Sequence, residues 1–216
     1  MNSRTDDTRT AYDQKYASEE HYWTLRPSSS CFEVLKCMPP DRRLRLLDVG
    51  CGEGRNAVFF ARNGYRVTAF DLSAEGVKKT RELAQKVGVT VDAFEADLNT
   101  FRLAEPFDVV FSTGVLHSSD PGRRDEIMTN YQAHTREGGL HVLSVFVAKP
   151  FIPPAPDRDP NASPWRSGEL LRYYADWRIE WCLEEIVDCL SSGVPHQHAV
   201  NRVAARKPGS DSRGGG

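Results

Sequence analysis

Across its 216 residues the chain has no C-x-x-C pair, no apolar run long enough to span a bilayer, and almost no net charge. Each absence removes a class of function. The five cysteines, Cys31, Cys37, Cys51, Cys182 and Cys189, are odd in number and stand mostly in apolar contexts, which reads as free, reduced thiols rather than a disulfide framework. No pair of them has the tight spacing of a zinc ligand set, so no metal is expected. The most apolar run, "LHVLSVFVA", falls far short of the ~20 residues of a membrane helix, and the polar start "MNSRTDDTRT" lacks the apolar core of a secretory signal. No membrane partner follows, and the expected location is the cytoplasm. Against 30 acidic residues stand 28 basic ones, a formal charge of −2 that gives no field to draw in nucleic acid. The expected partner is a small molecule, handled by a monomer or a weak homodimer.

What is present alternates with two periods. From Leu44 to Ala148, β-rich runs ("RLLDV", "RVTAF", "VTVDAFE", "FDVVFS", "LHVLSVFVA") are separated by the helical stretches "RNAVFFARNG", "AEGVKKTRELAQKVG" and "RRDEIMTNYQAHTREGG". Each of these stretches ends in glycine, as helix C-termini commonly do. Strands joined by helical crossovers predict a parallel, doubly wound α/β sheet. Beyond it, "KPFIPPAPDRDPNASP" holds six prolines and reads as a surface excursion or lid. "SGELLRYYADW" predicts a helix with Leu170, Leu171 and Tyr174 on one face. "RIEWCLEEIVDCL" and "HAVNRVAAR", joined by "SSGVPHQ", predict a closing antiparallel hairpin and a total of seven strands. "AYDQKYASEEHYW" and "SSSCFEVLKCM" predict two N-terminal helices, a cover over about residues 10–38. One domain over residues 1–207 is expected, with a disordered tail at 208–216.

The run "LLDVGCGEGRNAVFF" removes side chains at Gly50, Gly52 and Gly54, between a strand and a helix. Such a turn lets a ligand approach backbone amides at the positive end of a helix. A nicotinamide fingerprint, G-x-G-x-x-G, would need glycine where Arg55 stands, and the G-x-G-x-G spacing weakens that reading.

The longer stretch "LLDVGCGEGRNAVFFARNGYRVTAFDLS" resembles the glycine motif and second strand of class I S-adenosyl-L-methionine (SAM)-dependent methyltransferases. The resemblance implies that SAM is the cofactor and S-adenosyl-L-homocysteine its product. It places Gly50, Cys51, Gly52, Gly54 and Asn56 along the methionine and ribose parts, with Asp48 reaching the amino-acid end through the loop. It makes Asp71, beside Leu72, the acceptor for both ribose hydroxyls, and sets Asp97 and Leu98 of "FEADLNTF" at the adenine. "FSTGVLHSS", with Thr113 and His117, would face both cofactor and methyl acceptor.

Together, "YDQKY", the glycine run, "HTREGGLHVL" and "SGELLRYYADW" resemble the tellurite-resistance methyltransferase family over most of the chain up to about Trp177. That resemblance implies an acceptor that is a chalcogen oxyanion (tellurite or selenite) or a thiol or selenol. The alternative is O- or N-methylation of a small specialised metabolite, because "GVPHQH" and the proline-rich excursion depart from the family's pattern. An anionic acceptor calls for cations or neutral donors, and the candidates are Arg26, Arg172, Arg178, His117 and His196, of which His117, His196 and Arg178 form the expected catalytic set. In the N-terminal cover, Tyr16, Trp23 and Arg26 are expected at the cofactor and Tyr12 in packing. Aromatic faces attract a sulfonium by ~0.5–2 kcal/mol.

Overall fold

The computed structural model describes residues 3–209 apart from 42, 157, 160 and 192, and side chains from residue 5 onward. The tail expected to be disordered therefore lies, from residue 210, outside the described residues.

Seven strands, β1 (Arg45–Val49), β2 (Arg66–Asp71), β3 (Val91–Glu95), β4 (Phe107–Thr113), β5 (Thr135–Val147), β6 (Arg178–Cys189) and β7 (His196–Arg206), form one sheet in the order β3-β2-β1-β4-β5-β7-β6. The first five pair in parallel, and β7 runs antiparallel to both β5 and β6. This is the expected doubly wound α/β architecture, and it follows from strands apolar on both faces: β1 is buried from Leu46 to Val49.

Helices α2 (Ser29–Cys37), α3 (Arg55–Arg62) and α4 (Ala74–Lys86) cover one face. They set Cys31, Val34, Phe60 and Val77 against Leu46, Val67, Val109 and Phe111. Helix α5 (Arg124–Ala133) and the segment from Trp165 to Tyr174 cover the other, packing Ile127, Met128, Tyr131, Trp165 and Tyr174 on Leu47, Val110, Leu143 and Val145.

Three elements differ from the sequence reading. The first helix, α1, spans Ser3–Tyr16 instead of starting at Ala11, and residues 17–28 are irregular. Polar contacts hold α1, among them Ser73 Oγ to Asp13 Oδ1 at 2.5 Å and Arg9 to Glu95 at 3.3 Å, so no apolar period marks its bounds. Helix α5 stops at Ala133 with His134 as its cap, and the chain enters β5 at Thr135, where Gly138 (φ 72°) and Gly139 sit in a break of the strand's register. A Cβ on Gly139 would lie 2.7 Å from Arg136 O. "SGELLRYYADW" makes turns and one 3₁₀ segment, Leu171–Tyr174; Leu170 just before it and Tyr174 at its end are buried, and Leu171 is exposed. Tyr174 donates to or accepts from His141 Nδ1 at 2.9 Å, and Thr135 Oγ1 lies 2.7 Å from His141 Nε2. That motif therefore locks onto β5 through a buried polar network.

Candidate active site

Strand order reverses around β1, whose neighbours β2 and β4 carry the chain away in opposite directions. At such a switch point the loops leaving the strand ends part and leave a crevice. A cavity of about 520 Å³ lies there, well within the ~300–1,000 Å³ of small-molecule sites. Of the residues named from the sequence, Tyr16, Trp23, Gly50, Cys51, Gly52, Asn56, Asp71, Leu72, Thr113 and His117 line it.

The glycine loop is tied to β2 by its own amides: Gly50 N and Cys51 N both donate to Phe70 O, at 2.9 and 3.0 Å. Gly52 N donates to Asp71 Oδ2 at 2.8 Å, and Ser73 N donates to Asp71 Oδ1 at 2.9 Å. Asp71 thus fixes the loop through both of its oxygens. All three glycines have positive φ (73°, 53° and 86°), yet the space they vacate belongs largely to the protein. A Cβ on Gly50 would meet Val115 at 2.5 Å, and one on Gly54 would meet Thr80 Cα at 2.8 Å. Gly50 and Gly52 both line the cavity, where a Cβ on Gly52 would lie 3.1 Å from Tyr16 Oη. Of the three, Gly54 alone stands off the cavity.

Tyr16 is buried over Gly52 and Gly76 and accepts from Trp23 Nε1 at 2.9 Å. Trp23 is pinned in turn by the glycine loop and the start of α3: its amide donates to Glu53 Oε2 at 3.2 Å, and its carbonyl accepts from Arg55 at 2.9 Å. On the opposite wall, the His117 ring stacks on Phe146 (4.4 Å) and Phe146 on His198 (4.3 Å). Burial, with help from His198 and Arg124, lowers the His117 pKa to about 3, so the ring is neutral near pH 7, and its Nδ1 is buried without a protein partner. Cys51 is held as a thiol, since burial and the nearby Asp71 and Asp48 push it well up.

Other expected residues stand elsewhere. Asp48 is fully buried behind the loop; burial and Asp71 raise it to about 7 while Arg55 pulls the other way, and its Oδ2 has no protein partner. Gly54 packs on Thr80. Asp97 is covered by α1, accepting from Thr5 Oγ1 at 3.4 Å and from Asn99 N at 2.8 Å, and Leu98 joins the core. Arg26 is exposed and off the cavity. Arg178 begins β6 beside Arg206, at the far end of the sheet, where it pairs with Glu180 at 2.5 Å. Arg172 pairs with Asp125 at the surface. His196 sits just behind the wall, touching His198, which does line the cavity. The cations on the wall are instead Lys15, Arg55, Lys149, Arg158 and Arg202. Tyr12, expected in packing, also lines it. His198 could have been found from "HQH", since residues two apart on a strand share a face. Arg158 gave no such signal, because only the return of the proline-rich segment brings it in.

That return is specific. Trp165 pairs with Val147 as a parallel bridge, its Nε1 donates to Leu116 O at 3.0 Å, and Ser163 N donates to His117 O at 2.7 Å. Thr8 Oγ1 of α1 donates to Asp159 Oδ2 at 3.2 Å and accepts from Asn161 Nδ2 at 3.2 Å, so both covers meet over the cavity.

Buried groups set an acid response. Burial also lowers His141 to about 3, with a smaller push from Lys207. A histidine lowered from 6.5 adds stability that is lost as pH falls below 6.5, because the unfolded chain takes up the proton first. Asp48, raised from 3.8, acts oppositely: its contribution is present below 3.8 and is lost as pH rises to about 7. Across roughly pH 4–6 unfolding gains two protons at the histidines and loses one at Asp48, a net ~1.4 kcal/mol per pH unit from these three groups. His141→Gln is expected to remove about one proton from the slope of unfolding free energy against pH. Urea unfolding at several pH values measures it, and an unchanged slope would mean that His141 titrates freely in the folded protein.

Comparison with known proteins fits this geometry. The model of the family "Tellurite resistance protein TehB" matches residues 11–192. The chain belongs to the TehB family. It is 34% identical over 198 residues to "Hemagglutinin 1" of Eikenella corrodens, covering 90% of the chain and 63% of that relative. It is 30% identical over 169 residues to "Probable S-adenosyl-L-methionine-dependent methyltransferase TehB" of Haemophilus influenzae, covering 76% and 57%. The chain thus spans about three fifths of the length of these curated relatives. The crystal structure of TehB from Haemophilus influenzae superposes with a TM-score of 0.74 at 23% identity, over 93% of this chain and 67% of that one, and it shares the fold. Among the described residues no helix is long and apolar enough to cross a membrane.

Proposed function

We propose that the chain is a SAM-dependent methyltransferase, built as a single domain, that moves a methyl group to a small anionic nucleophile: a tellurite- or selenite-type oxyanion, or a thiol or selenol. The observation that carries this reading is the cavity itself, with the Asp71 carboxylate and Gly52 at one side and the neutral His117 at the other.

The residues fit the cofactor at two points. Asp71 lines the cavity as a carboxylate acceptor, which suits a vicinal diol, and the orphaned Asp48 Oδ2 beneath the loop is an acceptor toward an ammonium group, reached through the loop. SAM supplies a methyl group already activated on a sulfonium, leaving S-adenosyl-L-homocysteine. What the chain must add is alignment and exclusion of water. Tyr16 and Trp23 close the wall beside Gly52 and offer ring faces to a cation, worth ~0.5–2 kcal/mol. Helix α1 and the proline-rich segment roof it over.

His117, with a pKa of about 3, is a weak base and stays a neutral member of the wall. That favours acceptors arriving as anions, for which no proton need be removed, with Lys15 and Arg158 as the counter-charges on the wall. A second reading, O- or N-methylation of a specialised metabolite, draws support from a cavity whose roof of Ile152, Pro153 and Pro154 is apolar enough to take an organic acceptor.

Release of S-adenosyl-L-homocysteine from SAM, with selenite, tellurite and a panel of thiols, phenols, carboxylic acids and amines, tests both. Turnover of the anionic acceptors is expected to exceed the amines by at least about tenfold, or ~1.4 kcal/mol in barrier. Turnover of amines or phenols alone would replace the first reading with the second, and no turnover despite SAM binding would remove both.

A further inference from the structure

We propose that Cys189, His196 and His198 form a binding site for a soft divalent metal ion, best suited to Zn²⁺, in the cavity wall and with one coordination position open to the cavity. Among the described residues, these three have ligand atoms within 4.8 Å of one another. The β6–β7 hairpin brings them together: Cys189 lies directly opposite His196 in the antiparallel register, and His196 and His198 are two apart on β7, so all three side chains share one face of the ribbon.

The imidazoles are already arranged for ligation. His196 Nδ1 lies 2.8 Å from Val194 O, a bond that requires the hydrogen on Nδ1 and leaves a lone pair on Nε2. Backbone carbonyls set the tautomer of metal-bound histidines in just this way. His196 Nε2 and His198 Nε2 are 3.0 Å apart, against roughly 3.3 Å for two imidazole ligands on a tetrahedral zinc with ~2.0–2.1 Å bonds. His198 is further held by its stack on Phe146, at 4.3 Å and 4°. One thiolate and two imidazoles match the borderline-soft preference of Zn²⁺, and three protein ligands with a free fourth position is the pattern of an open site. Cys189 and His198 line the cavity, so the fourth position faces it.

Binding balances simply. The Cys189 thiol gives its proton to solvent and ligates as thiolate, while the His198 proton shifts from Nε2 to Nδ1 with no net change. The spacing of the cysteines alone hid this site, because its other ligands are histidines placed by a hairpin.

The site does not depend on methyl transfer, and its test reads neither turnover nor SAM. The full-length protein, chelator-treated and kept reduced, is titrated with Co²⁺. The expected result is a saturable near-ultraviolet thiolate-to-cobalt band with the visible bands of tetrahedral cobalt, both displaced by Zn²⁺. Cys189→Ser is expected to abolish the thiolate band, His198→Gln to weaken Co²⁺ binding by about tenfold or more, and Cys182→Ser, on the same strand but outside the cluster, to change neither. Far-ultraviolet circular dichroism confirms that each variant is folded. Absence of a saturable band up to about 100 µM Co²⁺, binding weaker than ~5.5 kcal/mol, overturns the proposal. So does a band that survives Cys189→Ser or is lost in Cys182→Ser.

Discussion

Gly54→Ala is expected to lower the free energy of unfolding by about 3 kcal/mol. Two costs add. Gly54 caps α3 at φ 86°, a region that costs a residue with a Cβ ~1–3 kcal/mol. Its Cβ would also lie 2.8 Å from Thr80 Cα, which is backbone within α4 and cannot swing aside, so overpacking adds ~1–3 kcal/mol. For a chain of this size the midpoint of thermal unfolding should fall by roughly 6–12 °C. Gly52→Ala makes the control, since the nearest atoms its Cβ would meet all belong to side chains, with the Tyr16 hydroxyl at 3.1 Å and Trp23 Cδ1 at 3.8 Å. That variant is expected to lose about 1 kcal/mol from its φ alone. Thermal and urea unfolding of both measures the difference, and equal losses would show that the loop, and not the packing of α3 on α4, sets the need for glycine.

Asp71→Ala is expected to raise the SAM dissociation constant by about tenfold to several hundredfold. In the proposed reading Asp71 serves twice. It accepts the Gly52 and Ser73 amides, bonds to a charged group worth ~1.5–3 kcal/mol each, and it also accepts from the ribose diol. Removing it frees the loop and strips the diol of its acceptor together. Asp71→Asn separates the two roles only in part, because its NH₂ must face one of the two amides as a like donor. It is expected to fall between wild type and alanine. Isothermal titration with SAM decides, and an unchanged constant for the alanine variant would place the cofactor's ribose away from β2.

The architecture was legible from period alone in the parallel half. "RLLDV" and "FDVVFS" carry adjacent apolar residues, Leu46–Leu47 and Val109–Phe111, because β1 and β4 are buried on both faces, and the crossover helices between them end where glycine allows. The N-terminal helix was misplaced because its hold on the sheet is polar, through Asp13 and Arg9, and polar contacts leave no period to read. "GELLRYYADW" misled for another reason. Its apolar spacing fits a helix, but the His141 network fixes Tyr174 and allows only a short 3₁₀ segment. At the site, residues adjacent to strand ends (Gly50, Gly52, Asp71, His117) could be placed because the fold fixes strand ends. Arg26 and Arg178 could not, since charge alone says nothing about which end of a sheet a side chain reaches, and Arg178 lies at the end away from the cavity.

The contact of Thr8 with Asp159 and Asn161 joins points 151 and 153 residues apart in the chain. Neither cover can swing clear without the other releasing it. The first and last thirds of the described chain are thereby stitched together at one point above the cavity, so a change at Thr8 is felt by the proline-rich segment as directly as by its own helix.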